Sequence, residues 1–217
     1  VAKLDEVVTL ASNISSIPLD INQPQQLVEA AEKIQASDSA GSALDLVVIS
    51  SAVGLMSKLP KLDLELYRQS METNYMGTVN AISAVLPAMV AQGKGHIALI
   101  ASVAGYRGLP NGAPYAPTKA ALINLAECIR PSLLRLGITV SVINPGFVET
   151  PMTAQNKFKM PFLLQADEAA RRIIRGLERR KYEIAFPAPI VILLKFLRLL
   201  PNSLFFLIAE RMMPGRK

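Results

Sequence analysis

The chain is 217 residues and 23.5 kDa, the size of one large domain with room for a sizeable core, and at 51% hydrophobic residues it is not a disordered segment. Its formal charge of +6 is uneven: residues 157–217 hold 13 Lys/Arg against five Asp/Glu, a balance of +8, while residues 1–156 carry −2. An anionic partner should therefore meet the C-terminal quarter, and no motif calls for nucleic acid or a metal ion.

Leu4, Val7, Val8 and Ala11 recur at helical spacing and lead into residues 16–21, a short strand-like run ending at Asp20 and Ile21. Pro24 is placed to open a helix over 24–37. Residues 44–49 form an apolar, β-branched run that suits a parallel strand buried on both faces, and Ser50, Ser51 and Ala52 follow it. From Leu62 to Ala91 the pattern is helical, with Asn74 inside it. The strand predicted over 95–102 contains His96, and as the only histidine it excludes a histidine triad or a multi-histidine metal site. Ser102 falls at the end of that strand, and open α/β sheets bind ligands beyond the carboxyl ends of their strands.

A loop rich in Gly and Pro then reaches Tyr115-Ala116-Pro117-Thr118-Lys119. A phenol and an ammonium four residues apart stack on one face of a helix, and Pro117 is tolerated only in a first turn. A free phenol ionises near pH ~10; the lysine charge and the helix N-terminus are both expected to favour its anion. The helix runs to about Leu136, where Gly137 ends it. The lone Cys128 lies in its apolar stretch, is expected to be a packed thiol, and points to a reducing, cytoplasmic compartment. A strand over 138–143, a Pro145-Gly146 turn, an irregular lid over 151–166, an amphipathic helix over 167–181 and a last strand over 182–186 complete this part.

Asn74, Ser102, the Tyr115/Lys119 pair and the run Asn144-Pro145-Gly146-Phe147-Val148-Glu149-Thr150 occur in an order and spacing by which residues 3–186 resemble the short-chain dehydrogenase/reductase family. The resemblance implies an α/β fold, a Rossmann-type doubly wound parallel sheet in three layers. It implies hydride transfer between NAD or NADP and a carbonyl/alcohol carbon: Tyr115 as general acid/base, Ser102 polarising the oxygen, Lys119 tuning the tyrosine and holding the nicotinamide ribose, and Asn74 completing the proton path from a locally distorted helix. The cofactor would also touch Asp20 and Ile21 at the adenine, Ser50, Ser51 and Ala52 along the strand end, and Pro145, Gly146, Val148 and Thr150 at the nicotinamide. Where the family writes Asn-Asn-Ala-Gly, this chain writes Ile49-Ser50-Ser51-Ala52, which keeps small size but loses the amides and the glycine. A non-catalytic binding relative, or an isomerase or epimerase on the same scaffold, are the alternatives.

No strand, glycine-rich turn and helix of the kind that receives a pyrophosphate opens the sequence. By the resemblance the sequence enters at the helix after the second strand, so a preceding segment is expected in the intact protein. A homodimer or homotetramer through the helices at 62–91 and 115–136 is the family default.

The resemblance fades after residue 186, and residues 187–217 read as an apolar, basic helical extension. Residues 190–200 and 204–209 are intensely apolar but shorter than the ~20 residues that span a bilayer. Lys195 and Arg198 share one helical face, leaving a broad apolar face opposite. Peripheral membrane contact, aided by the basic residues of 171–181, and a lipophilic substrate are therefore expected; the alternative is that these segments close a pocket or a subunit interface.

Overall fold

The computed structural model describes residues 8–9, 13–36, 44–57, 59–156 and 159–212. The helix expected over 3–11 lies almost wholly outside them. The strand expected over 16–21 is not formed: residues 16–20 take no regular structure and Ile21 lies in a turn. Pro18 removes a ladder donor, and Asp20 makes a turn, its Oδ1 accepting the Asn22 N–H at 2.9 Å.

The described elements are α1 (Pro24–Ala36), β1 (Val47–Ile49), α2 (Leu64–Met71), a π-helical turn (Glu72–Met76), α3 (Gly77–Gln92), β2 (Gly95–Ile100), a 3₁₀ turn (Val103–Gly105), α4 (Ala116–Arg135), β3 (Ile138–Pro145), a second 3₁₀ turn (Thr153–Gln155), α5 (Ala166–Glu178), β4 (Glu183–Phe186), α6 (Ala188–Leu199) and α7 (Asn202–Arg211). The four strands form one parallel sheet in the order β1-β2-β3-β4, with Ile97 opposite Val140 and Ile143 opposite Ile184.

Alternation along the strands divides the core. Ile97, Leu99, Val140 and Val142 face Leu122, Ile123 and Ala126 of α4 together with Ile82 and Met89 of α3. Ala98, Ile143, Ile184 and Phe186 face Ala169 and Leu177 of α5. Helices therefore cover both faces, which explains strands that are apolar at nearly every position. Each connection steps the same way across the sheet, yet α5 lies on the opposite face from α3 and α4. The β3-α5-β4 crossover thus has the opposite hand from the two before it, a departure from the right-handed rule that holds in about 98% of such units.

Ile190, Leu194 and Leu197 of α6 and Phe205 of α7 are buried in the α3/α4 side of the core, so the C-terminal helices pack as part of the folded body. Their other faces leave Ile192, Leu193, Phe196 and Leu199 of α6, and Leu204, Phe206 and Leu207 of α7, exposed; Leu199 is 81% exposed. Lys195, though exposed, pairs with Glu183 rather than standing free opposite this stripe. The basic residues of α5 lie on the far side of the sheet, with Arg171, Arg172 and Arg175 gathered around Glu168. Cys128 is exposed rather than packed, because α4 buries Leu122, Ala126 and Leu133 and position 128 lies off that stripe.

Candidate active site

The site assembles where β2 and β3 end. Two residues beyond β2, Ser102 caps the 3₁₀ turn, its Oγ accepting the Ala104 N–H at 3.1 Å and donating to the Pro145 carbonyl at 3.4 Å. Tyr115 sits at the N-cap of α4, with Pro117 in the first turn as the sequence requires. Ser102 lies close enough to act on its phenol, so the end of β2 meets the start of α4. One turn further on, Lys119 is fully buried. Its Nζ donates to the Ile100 carbonyl at 2.8 Å and lies 5.6 Å from the centre of the Tyr115 ring. Gly105 lets the 3₁₀ turn close on α4, since a Cβ there would stand 2.7 Å from the Lys119 carbonyl carbon.

Burial acts on both ionisable groups. It pulls the Lys119 ammonium down to about 8. It pushes the half-buried Tyr115 phenol up, and the opposing influence of the Ser102 side chain only reduces that rise. The anion-favouring environment expected from the sequence is therefore outweighed by desolvation, and at neutral pH Tyr115 carries its proton.

Asn74 lies in the π-helical turn, the local distortion that the resemblance implies, and is completely buried. Its Oδ1 accepts the Val53 N–H at 2.7 Å, while Nδ2 donates to Val53 O at 3.0 Å and to Thr118 Oγ1 at 3.1 Å. The side chain thus ties the loop after β1 to the helix of Tyr115 and Lys119. Sequence reasoning misses Val53, whose backbone leaves no signal, while Thr118 lies between the two candidate residues.

The remaining positions are distributed around this centre. Asp20 is exposed, while Ile21 packs against Gly77 at the start of α3 and its carbonyl accepts from Asn80 Nδ2 at 3.3 Å. Ile21, Ser50 and Ser51 line one groove of about 230 Å³ beside the outer edge of β1, and Ala52 follows, half-buried. Pro145 is not in a turn: it ends β3 opposite Phe186, and the Gly146 N–H extends the ladder to Phe186 O at 2.7 Å. Val148 bridges to Leu164, and Thr150 Oγ1 lies 3.2 Å from Thr153 Oγ1. Met152 meets Gly54, where a Cβ would come within 2.8 Å of its side chain, so the loops after β1 and β3 touch.

The donor set suits a nicotinamide cofactor. Lys119 commits one of three N–H donors to Ile100 O, and an ammonium with donors to spare beside a phenol fits a vicinal diol. His96 takes no part: it is buried in β2, with Nε2 2.7 Å from Ser141 Oγ.

Comparison with known proteins places the chain in a family. The family model for short chain dehydrogenase matches residues 1–160. An uncharacterized oxidoreductase of Myxococcus xanthus is 35% identical over 208 residues, covering 96% of this chain and 81% of that protein. A 3-ketodihydrosphingosine reductase of Dictyostelium discoideum is 29% identical over 193 residues, covering 83% of this chain and 58% of its own length. Among solved structures, a short chain dehydrogenase from Burkholderia cenocepacia in complex with NADP superposes with a TM-score of 0.78 at 24% identity, covering 94% of this chain and 81% of that one, a likeness of fold. A parallel sheet, a Ser/Tyr/Lys cluster at its carboxyl end and a family match over most of the sequence lead to one conclusion: this chain belongs to the short-chain dehydrogenase family.

Proposed function

We propose that the protein is an NAD(P)-dependent oxidoreductase acting on the carbonyl/alcohol carbon of a lipophilic substrate. The observation that carries this reading is the gathering of the Ser102 hydroxyl, the Tyr115 phenol and the buried Lys119 ammonium beyond the ends of β2 and β3, with Nζ 5.6 Å from the centre of the Tyr115 ring. When bound, the nicotinamide cofactor supplies or accepts the hydride. In the reductive direction Ser102 donates a hydrogen bond to the substrate oxygen and draws charge onto it. Tyr115, protonated at neutral pH, gives its phenolic proton to that oxygen as the alcohol forms. Lys119, beside the ring, stabilises the phenolate left behind and holds the ribose hydroxyls. Asn74 acts through Thr118 and Val53, keeping α4 and the loop after β1 in register. Asp20 and Ile21 would meet the adenine end, Ser50, Ser51 and Ala52 the middle, and Pro145, Gly146, Val148 and Thr150 the nicotinamide end.

The lipophilic character of the substrate is inferred from the loop after β3, where Phe162 is 57% exposed and Leu163 40%. The Dictyostelium relative is named a 3-ketodihydrosphingosine reductase, and the keto group in that name agrees with a carbonyl substrate. The test is reduction of a panel of short, medium and long-chain aldehydes and ketones by NADH and NADPH with the intact protein. Turnover rising with chain length supports the reading; turnover of none of them overturns it.

The exposed stripe of α6 and α7 is proposed as a peripheral membrane contact, flanked in sequence by Arg211, Arg216 and Lys217. No helix of the described residues is long and apolar enough to cross a bilayer. Removing residues 187–217 would strip Ile190, Leu194, Leu197 and Phe205 from the core, so the cleaner comparison is Leu193→Glu with Leu199→Glu. Wild type should float with anionic vesicles and the double variant should not; equal flotation overturns the contact. Assembly into a homodimer or homotetramer through α3 and α4 is read by light scattering of the same samples.

A further inference from the structure

Glu183 opens β4 opposite Val142, so its side chain points to the α4/α6 side of the sheet while Ile184 points to α5. There its carboxylate gathers three donors. Oε1 accepts the Tyr106 hydroxyl at 2.6 Å and Asn144 Nδ2 at 3.1 Å, and Oε2 accepts from Lys195 Nζ. Burial acts to raise the Glu183 pKa, but the hydrogen bonds from Lys195 and Tyr106 outweigh it and the group stays ionised. Glu127, Tyr182, Lys195 and Arg198 complete the polar lining of the cavity of about 370 Å³ in which Glu183 and Tyr106 sit.

Two of the three donors lead to Ser102. Tyr106, 5% exposed, closes the 3₁₀ turn that Ser102 opens, its N–H donating to Val103 O at 3.1 Å. Asn144, fully buried, immediately precedes Pro145, whose carbonyl accepts the Ser102 hydroxyl. The same turn closes on the Lys119 backbone through Gly105. One carboxylate therefore holds both segments that touch Ser102, and through Lys195 it ties them to α6.

We propose that Glu183 is a positioning residue for the reaction: by holding Tyr106 and Asn144 it fixes the turn that Ser102 opens and the Pro145 carbonyl that the Ser102 hydroxyl meets, and so keeps Ser102 in place beside Tyr115. The proposal rests on the roles given above to Ser102 and Tyr115. A carboxylate suits the place because three donors converge and none requires a donor in return. A glutamine could still accept from Tyr106 and Asn144 but would turn its NH₂ toward the Lys195 ammonium.

The test compares Tyr106→Phe, Glu183→Gln and Glu183→Leu in the intact protein, with decanal and NADPH as probes. Small misplacements of a catalytic group have large kinetic effects, so Tyr106→Phe should lower kcat about ten-fold with the KM for NADPH nearly unchanged. Its pH profile should move to higher pH, because Ser102, which limits the rise of the Tyr115 pKa, is held less firmly. Glu183→Gln should fall between wild type and Glu183→Leu. Unchanged kcat and pH profile in folded Tyr106→Phe overturn the proposal. If wild type does not reduce the probe, the functional reading has failed, and amide exchange then tests the brace alone: Ala104 and Gly105 should exchange about ten-fold faster in Tyr106→Phe than in wild type, and equal rates overturn it.

Discussion

Asn74 donates to Thr118 at 3.1 Å across 44 positions of sequence, so the π-helical turn and the helix of Tyr115 and Lys119 are held as one unit. The other polar atoms of that amide serve the backbone of Val53. Replacing Asn74 by alanine would leave a buried N–H, a carbonyl and a hydroxyl short of partners. Asn74→Ala should lower unfolding stability by about 3 kcal/mol, measured by urea titration. A loss confined to activity, with stability intact, would mean that the side chain serves a proton path rather than a tie.

Tyr115→Phe removes the proposed proton donor and little of its packing. The rate of carbonyl reduction should fall by at least about 100-fold, while NADPH affinity, read by calorimetry, stays within about three-fold. Comparable loss in both quantities would assign the hydroxyl to binding.

Lys119 gives a signature in alkaline stability. Its pKa is lowered to about 8 in the fold from the ordinary lysine value of 10.5, so between these values the unfolded chain binds more protons than the native one. Stability from this group should therefore rise as pH increases through that window. In Lys119→Met, the slope of unfolding free energy between pH 8 and pH 10 should become less positive. An unchanged slope would mean that Lys119 titrates normally.

His96 gives a signature on the acid side. Ser141 commits its hydrogen to Lys181 O at 2.6 Å, so the close contact with His96 is a donation from Nε2–H to Ser141. Burial, and then the charge of Arg180, lower the imidazole pKa below 6.5. The unfolded chain therefore takes up a proton that the native state refuses, and this contribution to stability is lost as pH falls below about 6.5. His96→Gln should flatten the stability curve between pH 7 and pH 5; a curve as steep as wild type would remove His96 from the account.

Local chemistry was legible in the sequence where it depends on short spacing. Tyr115, Pro117 and Lys119 fall in one helical turn, and Ser102 follows an apolar run, so both placements are dictated within a few residues. Asn74 stood out only as a polar residue inside a helix; its partners lie on other elements and could not be read. Pro145 looked like a turn because proline and glycine punctuate chains, yet β4 gives Pro145 a carbonyl-side neighbour and the ladder continues through Gly146. Cys128 was misplaced because α4 is apolar on more than its buried stripe. Glu183 and Asn144 each interrupt an apolar strand, a signal that buried polar groups have partners, but only the fold supplies Tyr106 and Lys195.

The central claim, that Ser102, Tyr115 and Lys119 reduce a carbonyl with hydride from a nicotinamide cofactor, is tested most directly by isotope transfer. The intact protein is incubated with NADPH deuterated at the transferable C4 position and a long-chain aldehyde, and the product alcohol is examined by mass spectrometry. The account predicts one deuterium on the carbinol carbon, at a rate that falls by at least about 100-fold in Tyr115→Phe. Alcohol formed without deuterium at that carbon, or formed equally fast without the Tyr115 hydroxyl, would contradict it.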